Sequence, residues 1–507
     1  MANKFKIRHD IYNSLVSKVK EVVAKVNTNQ KYLTSFFEGD VSRRCQQALL
    51  SLIMSDFIRQ YSKDGEVQVL KSDTYSLING KFNYRFLEKI KIVMIFSMGN
   101  ILVLKGLLYS IFFGKKIIHN NVILHGYGRE SLYEGGNSEA AIEFLSKGPF
   151  DFINESNLYI GTNRAINNEK FRYKHSKYPL LDLLKSTRFS LYDAISLVSH
   201  TIKNYFYFLW LSFNNPIFFL LYSDFLWLPA IYALNRKSAL KYYIFDNSDF
   251  SKQILPVVSL KKRNFTTHMI FYACNTKGFK YKNVDEVAEH PHYQFMKFDK
   301  AWVWNEESKR WLQENSPFVK DIAVVGDVLF YVDNNKTVNL EGSFKILVFD
   351  VTPASEEWCK SFAGGGAVGF DFYSSEHMCK FIEGVETSVS DLSSDVKVFI
   401  KPKRLPSEKW HDKKYVELLK SSQRIQILDP DINIYELLRG VDLVLAVPFT
   451  SALYIADKLE IPSIYYDPTG TLEFNKKRTK YIEFAQSQQT LKQKVEVYHS
   501  EKMSHPQ

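Results

Sequence analysis

The chain has 507 residues, with 66 Lys and Arg against 55 Asp and Glu and a formal net charge of +11. At about 100–200 residues per domain, this length predicts two to four domains, and 45% hydrophobic with 24% charged residues excludes wholesale disorder. The aromatic share is high, 39 Phe, 30 Tyr and 7 Trp; with excess positive charge it suits contact with an anionic membrane surface or ligand, while charge alone leaves nucleic acid open.

The first twenty residues have no apolar core of signal-peptide length and no small-residue cleavage site, so no secretory signal is expected. Cys45, Cys274, Cys359 and Cys379 are far apart, with no CxxC pair and no His cluster at zinc spacing. The expectation is reduced, structural thiols in a cytosolic protein that needs no metal.

Helical spacing runs through residues 5–60, where Ile11, Leu15, Val19, Val22 and Val23 form one stripe, and resumes over 85–113. This predicts an N-terminal helical region, 1–115. Within it, 93–113 is long enough to cross a bilayer, which takes about 20 mostly apolar residues. Lys105 would then lie near mid-membrane, at a cost of roughly 2.5–3.5 kcal/mol. A second stretch, 205–221, is broken by Asn214-Asn215-Pro216. The preferred reading is helices partly in the core and partly facing an anionic membrane, with flanking lysines on the lipid headgroups; a plain hydrophobic core helix with solvated lysines fits about as well.

From Asn121 the texture becomes strand and helix in alternation. Strands are predicted at NVILHGYG (121–128), 158–161, YYIFDNS (242–248), HMIFYA (268–273), AWVW (301–304) and DIAVVG (321–326), with helices near 137–146 and over 180–236. The polar segment 333–343 reads as a linker. Beyond it come strands at 345–351, 395–402, 425–429, 442–447 and 463–467, separated by helices near 375–387, 410–420, 433–439 and 451–459. The predicted fold class is α/β, with two Rossmann-like doubly wound domains facing a cleft. Their bounds are 116–335 and 336–480, followed by a C-terminal tail helix, 481–507. Ligands in such sheets bind beyond the carboxyl ends of the strands, so chemistry belongs in that cleft.

The sharpest local signal is AVPFTSALYIADKLEIPSIYYDP (446–468), where a buried strand ends at Pro448 and Thr450-Ser451 starts a helix. Free backbone N–H groups, two hydroxyls and the positive end of the helix dipole converge there, which suits a phosphate; a plain helix cap is the blander reading of Thr450 or Ser451. IKPKR (400–404) ends another strand and puts Lys401, Lys403 and Arg404 at the same sheet edge, where fixed cations could neutralise a leaving group without metal. Asp429 and Asp431 follow the next strand; one could accept from a ribose or base, and Asp431 reads as a helix cap. In the first half Asp246 ends a strand facing the cleft and could take a proton from an acceptor hydroxyl, with Asp249 the runner-up; turn-forming is the alternative for both. His290 and His292, two apart, are poorly spaced for a shared metal and read as acceptor-side lining or structure. AGGGAVGF (363–370) is neither GxGxxG nor a P-loop, because Phe370 stands where the lysine must be, and it reads as a mobile loop over the cleft.

The P-F-T-S run at 448–451 and the residues after it resemble the bacterial polysaccharide biosynthesis PFTS motif family. NVILHGYG, FLSKGPFDFINESNLYIG, YYIFDNSDFSKQ and WVWNEE extend the resemblance from about Asn121 to Asp467. It implies a GT-B-like glycosyltransferase of two Rossmann-like domains, with 116–335 the acceptor side and 336–480 the nucleotide-sugar side. The arrangement is also similar to transferases that use CMP-activated acidic sugars, by which Asp246 takes the base role and Thr450 and Ser451 the phosphate role. The sequence departs at the middle motif, where Lys401-Pro402-Lys403 stands in place of histidine before proline.

The resemblance thus implies a metal-independent enzyme without a cofactor, moving an acidic nine-carbon sugar, with pseudaminic acid the leading expectation. The partners would be a CMP-sugar donor and an oligosaccharide or lipid-linked glycan acceptor, at the cytoplasmic face of the membrane. The alternatives are a UDP-sugar-dependent transferase and a non-catalytic basic membrane or nucleic-acid module. Basic residues spread over both halves without a stripe or motif count against nucleic acid.

Overall fold

A computed structural model describes residues 2–26, 28, 31–37, 39–64, 67–114, 120–125, 158–161, 175–176, 178–246, 253–271, 273–274, 282, 291–327, 336–351, 353, 374–403, 411–430, 432–474 and 480–504. Helices α1 (Ala2–Ala24), α2 (Lys31–Phe36) and α3 (Val41–Asp64) open the chain. A three-stranded antiparallel sheet follows, β1 (Val69–Lys71), β2 (Tyr75–Ile78) and β3 (Lys81–Tyr84), and then helix α4 (Phe86–Phe113). Asn79 and Gly80, both at positive φ (49° and 72°), form the tight β2–β3 turn.

The first parallel sheet contains β4 (Asn121–His125), β5 (Leu158–Gly161), β6 (His175–Ser176), β7 (Leu240–Asp246), β8 (Thr266–Ile270), β9 (Lys297–Val303) and β10 (Phe318–Val324), in the order β10-β9-β8-β7-β4-β5-β6. Between β6 and β7 the expected single helical stretch is three helices. These are α5 (Pro179–Ser186), α6 (Leu191–Asn214) and α7 (Tyr222–Arg236), with a 3-10 turn, Pro216–Leu221, after α6. A Ser190/Asp193 capping box starts α6, and Asn215 ends it and caps the 3-10 turn.

The N-terminal helices are not a domain apart from the first sheet, contrary to the 1–115 boundary read from sequence. One apolar core runs from Ile11 in α1 through Phe96 in α4 to Leu312. A buried ion pair joins the two parts: Arg44 of α3 donates from Nε and Nη2 to the Asp224 carboxylate of α7, at 2.9 and 3.2 Å. Helical periodicity showed which faces were apolar but not which partner each would bury against.

The second parallel sheet has the order β13-β12-β11-β14-β15-β16, from β11 (Phe344–Phe349), β12 (Val396–Lys401), β13 (Ile425–Ile427), β14 (Leu443–Ala446), β15 (Ser463–Tyr466) and β16 (Ile482–Ala485). Interleaved helices are Ser375–Val389, Lys413–Ser421, Ile434–Leu438 and Ser451–Lys458, and Gln488–Ser504 is the last described element. Strand β16 corrects the reading of 481–507 as a tail: it pairs in parallel with β15, and the last helix packs on Ser375–Val389. The linker 333–343 is partly packed as well, since Val338 N donates to Glu436 O at 3.0 Å. The glycine-rich run 363–370 and the helix expected near 137–146 lie outside the described residues.

Renumbered from the first strand of each sheet, both orders read 3-2-1-4-5-6, with a seventh strand on the first, so each is a doubly wound Rossmann-like sheet. The carboxyl edges of the two sheets approach each other through the contacts described below, which is the two-lobed, GT-B-like arrangement.

Candidate active site

In a doubly wound sheet the crevice opens where the winding reverses, between the first and fourth strands. In the second lobe these are β11 and β14, in register at Phe349 and Ala446. Strand β14 is buried throughout, and beyond it the chain turns through Phe449 at φ +64° into the helix Ser451–Lys458. Thr450 holds the N-cap position with extended backbone (φ −67°, ψ 143°), yet its hydroxyl makes no cap bond, and Oγ1 is buried with no protein partner. Its carbonyl is fixed by Tyr465 OH at 2.9 Å. A helix start leaves its leading N–H groups without intrahelical acceptors and carries the positive dipole end, so this corner can hold an anion.

Across the reversal from Thr450, Asp350 follows β11. It is buried and accepts from Lys403 N at 2.7 Å and Tyr415 OH at 2.5 Å. Burial raises the pKa of its carboxyl above the ordinary range, and these two donors oppose that rise.

Lys401 is level with Phe349 at the end of β12, two strands and therefore roughly 10 Å from β14. Its Nζ donates to Pro430 O at 2.5 Å, on the β13 side. The strand order thus separates it from the Thr450 corner that sequence reasoning set beside it. The Lys403 and Asp429 side chains are exposed, and the Lys403 backbone is held at the end of β11 by its bond to Asp350; Arg404 lies outside the described residues. Asn433, not Asp431, caps the helix Ile434–Leu438, accepting from Tyr435 N and Glu436 N; Asp431 is outside the described residues.

In the first lobe the reversal falls between β4 and β7, with His125 ending one strand and Asp246 the other. His125 is level with Phe245, and its Nδ1 lies 3.0 Å from Tyr243 OH. The backbone of Asp246 is placed by its register with Ile270 of β8; Asp249 and His290 lie outside the described residues. His292 is buried in the 3-10 turn Pro291–Phe295, which packs against α3.

The two edges meet directly. Four residues beyond Ile270, Cys274 N donates to Ser451 Oγ at 3.1 Å. Lys282 N donates to Thr471 O at 2.9 Å, and its Nζ reaches Gly470 O and Gln486 Oε1 at 3.0 and 2.6 Å. Asp327 receives Lys458 Nζ at 3.0 Å and the Tyr435 hydroxyl. Cys274 and Trp304 share an apolar cluster with Phe349, Ala446 and Ala452 of the second lobe. The structure therefore brings Thr450, Ser451 and the β7–β8 edge to one junction, with Lys401 on its flank and the Lys403 backbone beside Asp350. Among the described residues no group of three or more His, Cys, Asp or Glu side chains is placed to hold a metal ion.

His125 and Asp350 were not singled out from sequence. His125 ends the first strand of its sheet and Asp350 directly follows that of the other, positions that gain meaning only once the order 3-2-1-4 puts them beside the reversal.

Comparison with curated proteins gives no match. Among solved structures, a variant of the wall teichoic acid polymerase TagF aligns over 82% of this chain and 93% of its own, at 10% identity and a TM-score of 0.40. Methanocaldococcus jannaschii UDP-GlcNAc 2-epimerase, in complex with UDP-GlcNAc and UDP, aligns over 75% and 92%, at 13% and 0.40. With S. aureus TarM the figures are 54% and 51%, at 13% and 0.34, so the chain spans about half of TarM's length. Likenesses this distant carry no activity over. The family described as polysaccharide biosynthesis PFTS motif protein matches residues 204–495. This range includes Asp246, Lys401, Thr450 and Ser451; it begins well after Asn121, where the resemblance was read to start, and runs past Asp467 through β16. Matched over more than half of its length, the chain belongs to the polysaccharide biosynthesis PFTS motif family.

Proposed function

We propose that this protein is a glycosyltransferase that moves a sugar from a nucleotide-activated donor to a polysaccharide acceptor in the cleft between its lobes. The observation that carries the reading is the Cys274–Ser451 contact. It joins the helix start at Thr450–Ser451 to the strand edge on which Asp246 ends. Donor phosphate sits at that helix start, where Thr450 Oγ1 has no protein partner and the Ser451 hydroxyl still has its hydrogen to donate. An acceptor hydroxyl oxygen attacks the anomeric carbon, its proton passes to the Asp246 carboxylate, and the bond to phosphate breaks with its electron pair leaving on the nucleotide. Lys401, two strands from β14, and Lys403, beside Asp350, favour the leaving anion through their positive field.

The donor we favour is a CMP-activated nine-carbon acidic sugar of the pseudaminic type. The support is the resemblance of the P-F-T-S corner and the Asp246 strand end to transferases of that class.

Thermal-shift titration with CMP, UDP and GDP tests the donor. Stabilisation by CMP alone is expected, and stabilisation by UDP alone replaces CMP by UDP in the scheme. Asp246→Asn should lower transfer by roughly 10²–10⁴-fold while nucleotide binding persists; unimpaired transfer removes Asp246 from the mechanism.

A further inference from the structure

Of the 26 large apolar side chains exposed among the described residues, 19 lie on α4 and α6. The rest are scattered, and scattered exposure is ordinary, whereas a contiguous apolar face on two neighbouring helices is not. The helices run antiparallel: Phe96 packs on Tyr205 and Phe208, and Leu107 to Ile111 share a cleft with Leu191 to Lys203. Their outward face is predominantly apolar, broken by Lys105 and Lys203, with Phe86 at 74%, Met98 at 64% and Phe112 at 75% exposed on α4, and Tyr192 at 77%, Phe206 at 64% and Trp210 at 55% on α6.

We propose that this face seats the first lobe in one leaflet of an anionic phospholipid bilayer, the two helices lying in the membrane plane. Charge identifies the occupant. Over residues 85–113 and 188–214 there are six basic side chains, Arg85, Lys89, Lys91, Lys105, Arg188 and Lys203, against two acidic ones, Glu88 and Asp193. Both acids are already paired, Glu88 with Lys91 at 3.6 Å and Asp193 with Lys237 at 2.5 Å, which leaves the face net positive toward anionic headgroups. A cleft of about 490 Å³ opens between the helices, hydrocarbon-lined apart from Ser199 and Lys203. It offers room for an acyl chain, with an ammonium at its rim for the headgroup.

Packing decides between lying in the membrane and crossing it. The length and composition of α4 would allow a span. Its inner stripe from Ile92 to Ser110, however, is buried against α5, α6 and α7. Gly99 and Gly106 permit that closeness, since a Cβ at either would come within 2.7 Å of Leu226 or Leu181. A helix held to its lobe along four turns and more can present one side to lipid but cannot thread a bilayer alone.

The test is co-sedimentation of the full-length protein with vesicles of phosphatidylcholine alone or mixed with phosphatidylglycerol, alongside its mass in solution without lipid. The expected results are binding to the mixed vesicles, weakened by salt, with a blue shift in tryptophan fluorescence. Phe112→Glu combined with Phe206→Glu should lower vesicle affinity at least tenfold, and Lys105→Glu with Lys203→Glu should abolish the preference for anionic lipid. Circular dichroism and an unchanged melting temperature would show each variant folded, as expected for exposed positions. Affinity unchanged in the folded variants, no binding by the parent protein, or a lipid-free dimer dissociated by Phe112→Glu with Phe206→Glu overturns the proposal, the last by assigning the face to a second copy of this chain.

Discussion

Acid should loosen the first lobe chiefly through the imidazole of His268, with His200 of α6, whose pKa burial also lowers, adding to the effect. His268 lies on β8 at 6% exposure; its Nδ1 accepts from the Trp302 indole N–H at 3.0 Å, and its Nε2 is 2.8 Å from Thr266 Oγ1. This arrangement needs the neutral ring, because an imidazolium would turn a second donor on Trp302. Burial lowers the His268 pKa to about 4, and the nearby Asp299 carboxylate only partly offsets this. Between pH 4 and the unfolded value of about 6.5 the folded ring binds fewer protons than the unfolded one. Its contribution is complete above pH 6.5 and is lost as pH falls toward 4. At pH 5.0 the loss is about 2 kcal/mol relative to neutral pH. Asp40 and Asp299, both held below the ordinary carboxylate range, titrate under this window. Urea denaturation at pH 7.5 and 5.0 would measure the change, with His268→Asn as the comparison because an amide oxygen can still accept from Trp302. The parent should lose about 2 kcal/mol more than the variant between the two pH values. An equal loss in both would refute the assignment.

Asp224→Ala should strand Arg44 as an uncompensated buried charge beside Arg43, whose pKa burial has already lowered to about 10. A loss of about 3–5 kcal/mol is expected in denaturation experiments, whereas Arg44→Met with Asp224→Leu should cost far less. Gly384→Ala should destabilise the second lobe by about 1–3 kcal/mol, since its Cβ would come within 2.3 Å of Tyr466 OH; Tyr466→Phe should relieve part of that loss.

Buried parallel strands are the part of the fold that sequence shows best. Runs such as Leu443–Ala446 and Phe344–Phe349 are apolar on both faces and bounded by turn residues, so existence and type follow from composition. Strand Ile482–Ala485 is only partly buried and carries Glu483, which hides it in a helical context. The small antiparallel sheet had a local signal, Asn79-Gly80, that the strong helical periodicity around it overrode. The corner at Thr450 is legible because strand, turn and helix are consecutive in the chain. The position of Lys401 is not, because its distance from that corner depends on which strand intervenes, and strand order is a property of the whole sheet.

The single core of the first 312 residues has a mechanical consequence. Among the described residues the backbone passes from one lobe to the other only after β10, and the final helix Gln488–Ser504 stays against the second lobe without crossing back. If the halves part to admit and release large molecules, what must open is therefore local: the bonds at Cys274, Lys282 and Asp327 and the apolar seam of Cys274 and Trp304 against Phe349, Ala446 and Ala452, with neither core unravelled.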